Sequence, residues 1–224
     1  MSGREAILNR VRAALGASGD ASARRVAVEA RLSQARPGVI PARGQLDAEG
    51  RAALFCAMAE KVAASVRRVK SGADVPRAVS DYLRSKNLPA SLRIGADERL
   101  AAMPWDKQRA LQVRLGPSDG EDEVAVSHAF GGVAETATVV LHSGGDNPTT
   151  LNFLPDHHIV VVDARDIAGD LETVLARVRE KFGKGGMPRT LNLITGPSRS
   201  GDIEQKLLLG AHGPRALHLI VVDG

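Results

Sequence analysis

The residues best suited to bind an anion follow a short apolar segment at residues 190–194. Glycine and proline would shape a turn there, and hydroxyls and backbone N–H groups at the start of a following helix would bind the anion. Arg199 could add a bidentate clamp for a carboxylate or a phosphate. The candidate anion-binding residues are Thr195, Gly196, Ser198, Arg199, Ser200 and Asp202. A helix cap beside a solvated Arg199 accounts for the same residues, and the Gly-Lys-Ser/Thr ending of a nucleotide-binding loop is absent.

A single carboxylate, Glu135, stands among small and apolar residues at 131–138. A carboxylate in such surroundings is a candidate general base or nucleophile, with Thr136 as a neighbouring polar group. Alternatively, Glu135 accepts hydrogen bonds from backbone N–H groups of the adjacent turn, and Thr136 and Thr138 are ordinary strand residues. Both interpretations fit the sequence, so Glu135 is a candidate catalytic residue with a purely structural alternative.

All six histidines lie in the C-terminal half of the chain. His157 and His158 adjoin a predicted strand, where neighbouring side chains point to opposite faces, so we expect no metal site there. His158 and His212 remain additional candidates for a ligand site. His212 lies in a turn before the last strand. In a parallel sheet this turn would lie at the opposite edge from Ser198. A hydrogen bond to the turn backbone is therefore its simpler role.

The composition excludes several classes of function. The chain has 224 residues, a formal net charge of +4, one cysteine and 3% aromatic residues. One thiol cannot form an internal disulfide, a cysteine-rich zinc site or a four-thiolate iron–sulfur cluster, so we expect no cofactor held by this chain. Few aromatic rings argue against binding of single-stranded nucleic acid. Without a secretory signal or a long apolar run, the chain is expected to be cytoplasmic, with no membrane span.

Residues 1–46 are predicted to form an arm separate from the main domain. A capping-box spacing at Ser2 and Glu5 predicts a short amphipathic helix. The apolar stripe of this helix comprises Ile7, Leu8, Val11 and Leu15. The rest of the arm is rich in alanine, glycine and arginine, and two prolines are expected to interrupt any helix across residues 23–32. The arm is either a disordered leader or a segment that docks on the body or on another subunit, as in a homo-oligomer.

Residues 47–224 are predicted to form one α/β domain. Unbroken apolar segments alternate with amphipathic ones, as in a mainly parallel, doubly wound sheet flanked by helices. The predicted strands are 66–69, 91–94, 111–115, 124–126, 137–141, 159–163, 190–194 and 217–222. The predicted helices are 47–65, 75–85, 166–182 and 201–209. Phe130, Gly131 and Gly132 are predicted to form a turn, and a ligand site is expected beyond the C-terminal ends of the strands.

Three groups of residues resemble motifs of the lactate utilisation (LUD) domain family. They are residues 195–204 with 209–214 and the last strand, residues 133–141 with 143–144, and residues 154–155 with 158–162. The resemblance spans nearly the whole chain and is weakest at 17–46 and 96–120. The sequence departs from the family at Ala137, where the family commonly has glycine, and at Gly145, where it usually has arginine.

The resemblance implies a fold similar to the superfamily of sugar-phosphate isomerases and CoA-transferases. It also implies a place in a three-component bacterial system that oxidises L-lactate to pyruvate, with iron–sulfur proteins as partners. This chain would be the component without a redox cofactor, and its site would bind a small carboxylate or phosphate ligand. Two alternatives are an acyl- or CoA-transferring enzyme with Glu135 as nucleophile, and a pure protein-interaction module.

Overall fold

The computed structural model describes residues 2–16, 21–34, 37–200 and 208–224. Backbone contacts divide the chain into two units, Met1–Val39 and Ile40–Gly224. The arm was predicted to end seven residues later, at residue 46. Among the described residues, no helix combines the length and the hydropathy that a membrane span requires.

The described residues of the first unit form two helices, α1 (Gly3–Ala14) and α2 (Ser22–Gln34). The predicted capping box begins α1, because Ser2 N donates to Glu5 at 2.8 Å and Glu5 N donates to Ser2 Oγ at 3.3 Å. The expectation that prolines interrupt the second helix is wrong. The first of these prolines, Pro37, lies beyond the last residue of α2, so it limits the length of the helix without breaking it.

The second unit contains twelve described strands. In chain order they are β1 (Ser65–Val69), β2 (Ser91–Ile94), β3 (Gln112–Leu115), β4 (Val124–His128), β5 (Gly131–Val133), β6 (Thr138–His142), β7 (His157–Asp163), β8 (Ile167–Ala168), β9 (Leu191–Ile194), β10 (Arg199–Ser200), β11 (Leu208–Leu209) and β12 (Ala216–Val222). A six-stranded sheet has the order β1-β12-β7-β4-β2-β3, and each neighbouring pair is parallel. A four-stranded mixed sheet has the order β8-β5-β6-β9, in which β6 is antiparallel to both neighbours.

Five described helices complete this unit. They are α3 (Ala48–Lys61), α4 (Val75–Ser85), α5 (Glu98–Ala101), α6 (Thr150–Phe153) and α7 (Leu171–Phe182). One face of the six-stranded sheet packs against the buried face of α4, around Val79 and Leu83. The other face packs against α3 and the four-stranded sheet, with Phe55 fully buried between them. The predicted α/β fold with a mainly parallel sheet flanked by helices is confirmed.

The predicted turn at residues 130–132 is wrong. Gly131 and Gly132 lie inside β5, where Gly132 packs against Phe55 so closely that an added Cβ would lie 3.1 Å from its ring. The chain turns instead at 134–137, with Ala137 at φ 54°. The small residues of this hairpin therefore allow close packing of the strand. In the sequence alone, the same residues indicate a turn.

Two predicted helix boundaries also differ from the structure. The helix predicted at 166–182 begins at Leu171, because β8 precedes it and Asp170 caps it by accepting the Thr173 N–H at 2.8 Å. Most of the helix predicted at 201–209 lies outside the described residues. Its last two residues, Leu208 and Leu209, instead form β11, which pairs antiparallel with β10.

Candidate functional site

A pocket of about 290 Å³ lies where the C-terminal end of β9 meets the N-terminal ends of β7 and β12. It is named the Thr195 pocket, and residues 195–198 after β9 are named the Thr195 loop. Six of the residues predicted from sequence line it: His158, Thr195, Gly196, Ser198, Arg199 and His212. Apolar side chains complete the wall, among them Phe153, Leu193, Pro197 and Leu217. An apolar pocket of this volume with a few convergent polar groups suits a small ligand.

A buried polar network forms one side of the pocket. Ser127 Oγ donates to Asn152 Oδ1 at 3.3 Å and lies 3.0 Å from His158 Nε2. A serine hydroxyl has a single hydrogen, so Ser127 accepts a hydrogen bond from His158 Nε2–H. This assignment leaves His158 Nδ1 as a bare acceptor. That nitrogen and the Asn152 Nδ2 donor are buried, and neither has a hydrogen-bond partner among the described residues.

The protonation state of His158 follows from its surroundings. Complete burial lowers the pKa of His158 to about 3, because the charged imidazolium would lose its hydration. The ring is therefore neutral at physiological pH. The sequence pattern indicated His158 but missed Asn152 and Ser127. Ser127 does leave a signal, since it is the only hydroxyl in the apolar segment Val124–His128 and such a group in a buried strand needs a partner.

A chain of hydroxyls connects the pocket to the turn between β5 and β6. Thr195 Oγ1 lies 2.6 Å from Thr138 Oγ1, which lies 2.7 Å from Thr136 Oγ1. The antiparallel pairing of β6 with β9 brings these three side chains together. Thr136 itself does not line the pocket, so it acts on the Thr195 loop through Thr138.

The backbone of the Thr195 loop differs from the predicted anion-binding turn. Ser198 N donates to Pro214 O at 2.8 Å, and Ser198 O accepts from Gly210 N at 3.1 Å. The Ser198 N–H is therefore not free for an anion. The same contacts join this loop to the His212 turn, so the prediction that His212 lies opposite Ser198 is wrong. The reason is that β9 belongs to the four-stranded sheet and runs antiparallel to β6, a geometry that a single parallel sheet does not provide.

Arg199 is anchored at the rim of the pocket. One of its guanidinium nitrogens donates to Val62 O, the carbonyl that follows α3. Gly196 packs against the same carbonyl, with φ +75°, and a Cβ there would lie 2.5 Å from Val62 O. This contact requires glycine, both for its conformation and for the close approach. Arg199 therefore has a fixed position and keeps further N–H groups for a ligand.

The remaining predicted anion-binding residues do not join the pocket. Ser200 pairs with Leu208 in the β10–β11 ribbon and lies outside the lining. Asp202 lies outside the described residues.

Glu135 occupies the turn after β5 and does not line the pocket. Its buried carboxylate accepts a hydrogen bond from Arg43 Nε at 3.3 Å. The backbone of residues 42–45 is held beside it, because Gly44 and Gly169 approach so closely that an added Cβ on either would lie about 2 Å from the other's carbonyl oxygen. The carboxylate thus has a side-chain partner, Arg43, that the sequence pattern did not indicate.

The described side chains do not form a metal or iron–sulfur site. Over residues 2–16, 21–34, 37–200 and 208–224, no three side chains of His, Cys, Asp or Glu converge as metal ligands. Cys56, the sole thiol, is half-buried on α3, where burial raises its pKa. A four-thiolate iron–sulfur cluster does not fit this chain.

The sequence is similar to proteins of known family. The sequence model of the LUD domain family matches residues 52–222. Lactate utilization protein C of Geobacillus thermodenitrificans is 37% identical over 130 residues, which cover 56% of this chain and 52% of that protein. An uncharacterized protein of Neisseria meningitidis is 34% identical over 100 residues, which cover 45% of this chain and 42% of that protein. The chain spans about half the length of the curated relatives it matches.

The fold is similar to that of a DUF162 family protein from Deinococcus radiodurans, known from a crystal structure. The TM-score is 0.55 at 22% sequence identity, and the match covers 79% of this chain and 99% of that chain. This likeness concerns the fold alone. Because the family model covers more than half of the sequence, from α3 to β12, the chain belongs to the LUD domain family.

Proposed function

We propose that this chain is a component of a bacterial lactate utilisation system and that its pocket binds a small 2-hydroxy carboxylate, with lactate as the first candidate. The name of its relatives, lactate utilization protein C, supports the pathway. The ligand class rests on the unpaired polar atoms of Asn152 and His158 at the pocket.

The chemistry of a 2-hydroxy acid complements these groups. Its hydroxyl can donate to the bare Nδ1 of His158, and its carboxylate can accept from Asn152 Nδ2 and from Arg199. A 2-oxo acid such as pyruvate has no hydroxyl hydrogen for His158. The pocket should therefore prefer lactate to pyruvate by about tenfold to a hundredfold, because an unpaired buried acceptor costs roughly 1–3 kcal/mol.

Calorimetric titration of the full chain with L-lactate and pyruvate tests the ligand class. Arg199→Ala and Asn152→Asp should each weaken lactate binding at least about tenfold, the second because it places a carboxylate beside the ligand's own. Arg109→Ala is the matched control, since Arg109 lines a different cavity. Absence of binding, or equal binding by all variants, would contradict the proposed ligand.

In this proposal the protein acts in the cytoplasm and electron transfer belongs to iron–sulfur partner proteins. The pathway is tested by deleting the gene and growing cells on L-lactate or on pyruvate as sole carbon source. The deletion strain should fail on lactate and grow on pyruvate, and the wild-type gene should restore growth. Undiminished growth on lactate would exclude the pathway while leaving the ligand-binding result intact.

A transferase reaction at Glu135 is the enzymatic alternative, and it makes a separate prediction. An acyl-CoA would acylate the Glu135 carboxylate to a mixed anhydride and release the CoA thiolate. The thiolate would then attack the Glu135 carbonyl, forming a thioester and releasing the free acid. Borohydride reduces this thioester, and mass spectrometry detects the product. Because Glu135 pairs with Arg43 and lies outside the pocket lining, we expect no modification. A reduced Glu135 would replace the binding proposal with a catalytic one.

A further inference from the structure

A second groove, with a volume of about 330 Å³, lies between the edge strand β1 and helix α4. Its lining includes Ser65, Arg67, Tyr82, Lys86 and His218. None of these residues lines the Thr195 pocket. The groove is therefore distinct from the candidate site described above, and the proposed function leaves it unused.

His218 is the buried polar side chain of this groove. Its Nδ1 lies 2.8 Å from Ser65 Oγ, and its ring stacks on Tyr82 with 4.3 Å between centroids and 16° between planes. Its Nε2 is buried and has no hydrogen-bond partner in the part of the chain that the structure describes. Burial lowers the pKa of His218 to about 4, so the ring is neutral and carries one N–H. A structural histidine would be expected to use both nitrogens, and this one uses a single nitrogen.

Two cations share the groove with this histidine. Arg67 on β1 and Lys86 at the end of α4 both line it, and the charges of both lower the pKa of His218. Neither cation forms an ion pair with any residue in the described part of the chain. The acidic side chain of the groove, Asp81, pairs with Arg84. The groove therefore has unbalanced positive charge.

A purely structural explanation covers only part of this arrangement. A cation on an edge strand hinders pairing with another chain, which accounts for Arg67. Lys86 is the C-cap of α4, where a cation interacts favourably with the helix dipole. Neither role accounts for the unpaired Nε2 of His218 or for the position of both cations on one groove. A hydroxyl, a neutral imidazole and two cations around one groove are instead the donor set that binds a tetrahedral oxyanion.

We propose that the groove between β1 and α4 binds a phosphate group, with Arg67, Lys86 and His218 Nε2–H as its donors. In the phosphate-bound form Ser65 Oγ–H donates to His218 Nδ1, which puts the ring proton on Nε2. The phosphate is either free inorganic phosphate or the phosphoryl group of a larger metabolite.

Titration of the full chain with inorganic phosphate, at constant ionic strength in chloride, tests the site. Saturable binding is expected, and the nitrogen resonance of His218 Nε2 should take the protonated, pyrrole-type position. The double variant Arg67→Ala/Lys86→Ala should weaken binding at least about tenfold. Lys107→Ala/Arg109→Ala removes the same charge from a different cavity and should leave binding unchanged.

A parallel titration with glycerol 3-phosphate distinguishes the two sources of the phosphate. Binding of both probes supports a phosphoryl group on a larger ligand, whereas binding of inorganic phosphate alone supports the free ion. Lack of saturation, or equal loss in both double variants, would overturn the site. Loss of phosphate binding in Asn152→Asp would also overturn it, because the anion would then occupy the Thr195 pocket. The lactate result does not affect these outcomes.

Discussion

His158 Nε2 lies 3.0 Å from Ser127 Oγ, and this contact fixes the tautomer of a completely buried imidazole. Ser127 also donates to Asn152, so it can only accept from the histidine. Which pocket atoms act as donors and which as acceptors thus depends on a serine that does not line the pocket. Three side chains from β4, α6 and β7 act as one unit, which makes their contributions to stability non-additive.

Ser127→Ala should destabilise the fold by roughly 1–3 kcal/mol, because it leaves two buried polar groups without a partner. Urea unfolding of the variant measures this change. Ser85→Ala is the matched control, because Ser85 is exposed. Its hydroxyl donates to the backbone carbonyl of Tyr82 in the same helix, at 2.8 Å. Equal stability of Ser127→Ala and wild type would refute the buried network.

Stability should fall as the pH drops below the ordinary pKa of histidine. The histidines whose pKa is lowered in the folded state, in each case chiefly by burial, are His128, His142, His157, His158 and His218. The unfolded chain takes up these protons near pH 6.5 and the native chain takes them up only at lower pH. The free energy of unfolding therefore decreases by up to about 1.4 kcal/mol per pH unit for each group. Urea unfolding between about pH 5 and pH 7 measures the slope.

His158→Gln isolates the contribution of one histidine to this pH dependence of stability. Glutamine can donate to Ser127 Oγ but does not titrate, so between about pH 5 and pH 6 the slope should fall by about 1.4 kcal/mol per pH unit. The slope is informative even if the variant is less stable at every pH. An unchanged slope would mean that His158 is protonated in the folded protein, which contradicts its burial.

The central strands could be predicted from the sequence because they are buried on both faces. The apolar segments that form β7 and β12 admit only one interpretation, and their boundaries differ from the prediction by one or two residues. The second sheet could not be predicted in the same way. Its strand β5 begins with two glycines, and the second, Gly132, packs against Phe55 of a distant helix.

The candidate site likewise contains some residues that the sequence predicts and others that it does not. Residues on one loop, such as Ser198 and Arg199, carry a local pattern that the sequence displays. Asn152 and Ser127 meet only through tertiary packing, and Arg43 reaches Glu135 across 92 positions of the chain. A long-range contact between single polar residues leaves no periodic signal, so one sequence alone does not predict it.

Gly44→Ala should destabilise the second unit by about 2 kcal/mol or more. A Cβ at this position would lie 2.0 Å from Gly169 O, a backbone atom that cannot move aside without displacing the start of α7. Gly145→Ala is the control, because no atom lies within 4 Å of the Cβ it would add. Urea unfolding compares the two, and equal stability would show that the two backbone segments are not in contact.

The same substitution should also uncouple Arg43 from Glu135. A double-mutant cycle of Arg43→Ala and Glu135→Gln should give a coupling of about 1 kcal/mol in the wild-type background, since Arg43 is largely exposed. In the Gly44→Ala background the coupling should approach zero. A coupling that persists there would mean that Arg43 is positioned by something other than the Gly44–Gly169 contact.

The turn between β5 and β6 contains an alanine in the left-handed conformation. Ala137 is fully buried at φ 54°, a conformation that favours glycine. Ala137→Gly relieves the left-handed strain but increases the entropy of the unfolded chain, so stability should change by less than about 1 kcal/mol. Ala137→Val adds a β-branched side chain in the same conformation and should cost about 2 kcal/mol or more.

Ala63 is the matched control for this turn, because it has φ 64° but is exposed. Ala63→Val incurs the backbone strain without overpacking, so it should be less destabilising than Ala137→Val in urea unfolding. Ala137→Val should also weaken lactate binding, since the hydroxyl chain from Thr136 to Thr195 begins beside it. If both valine variants lose the same stability and bind lactate normally, backbone strain alone explains the preference for a small residue, and the turn does not support the pocket.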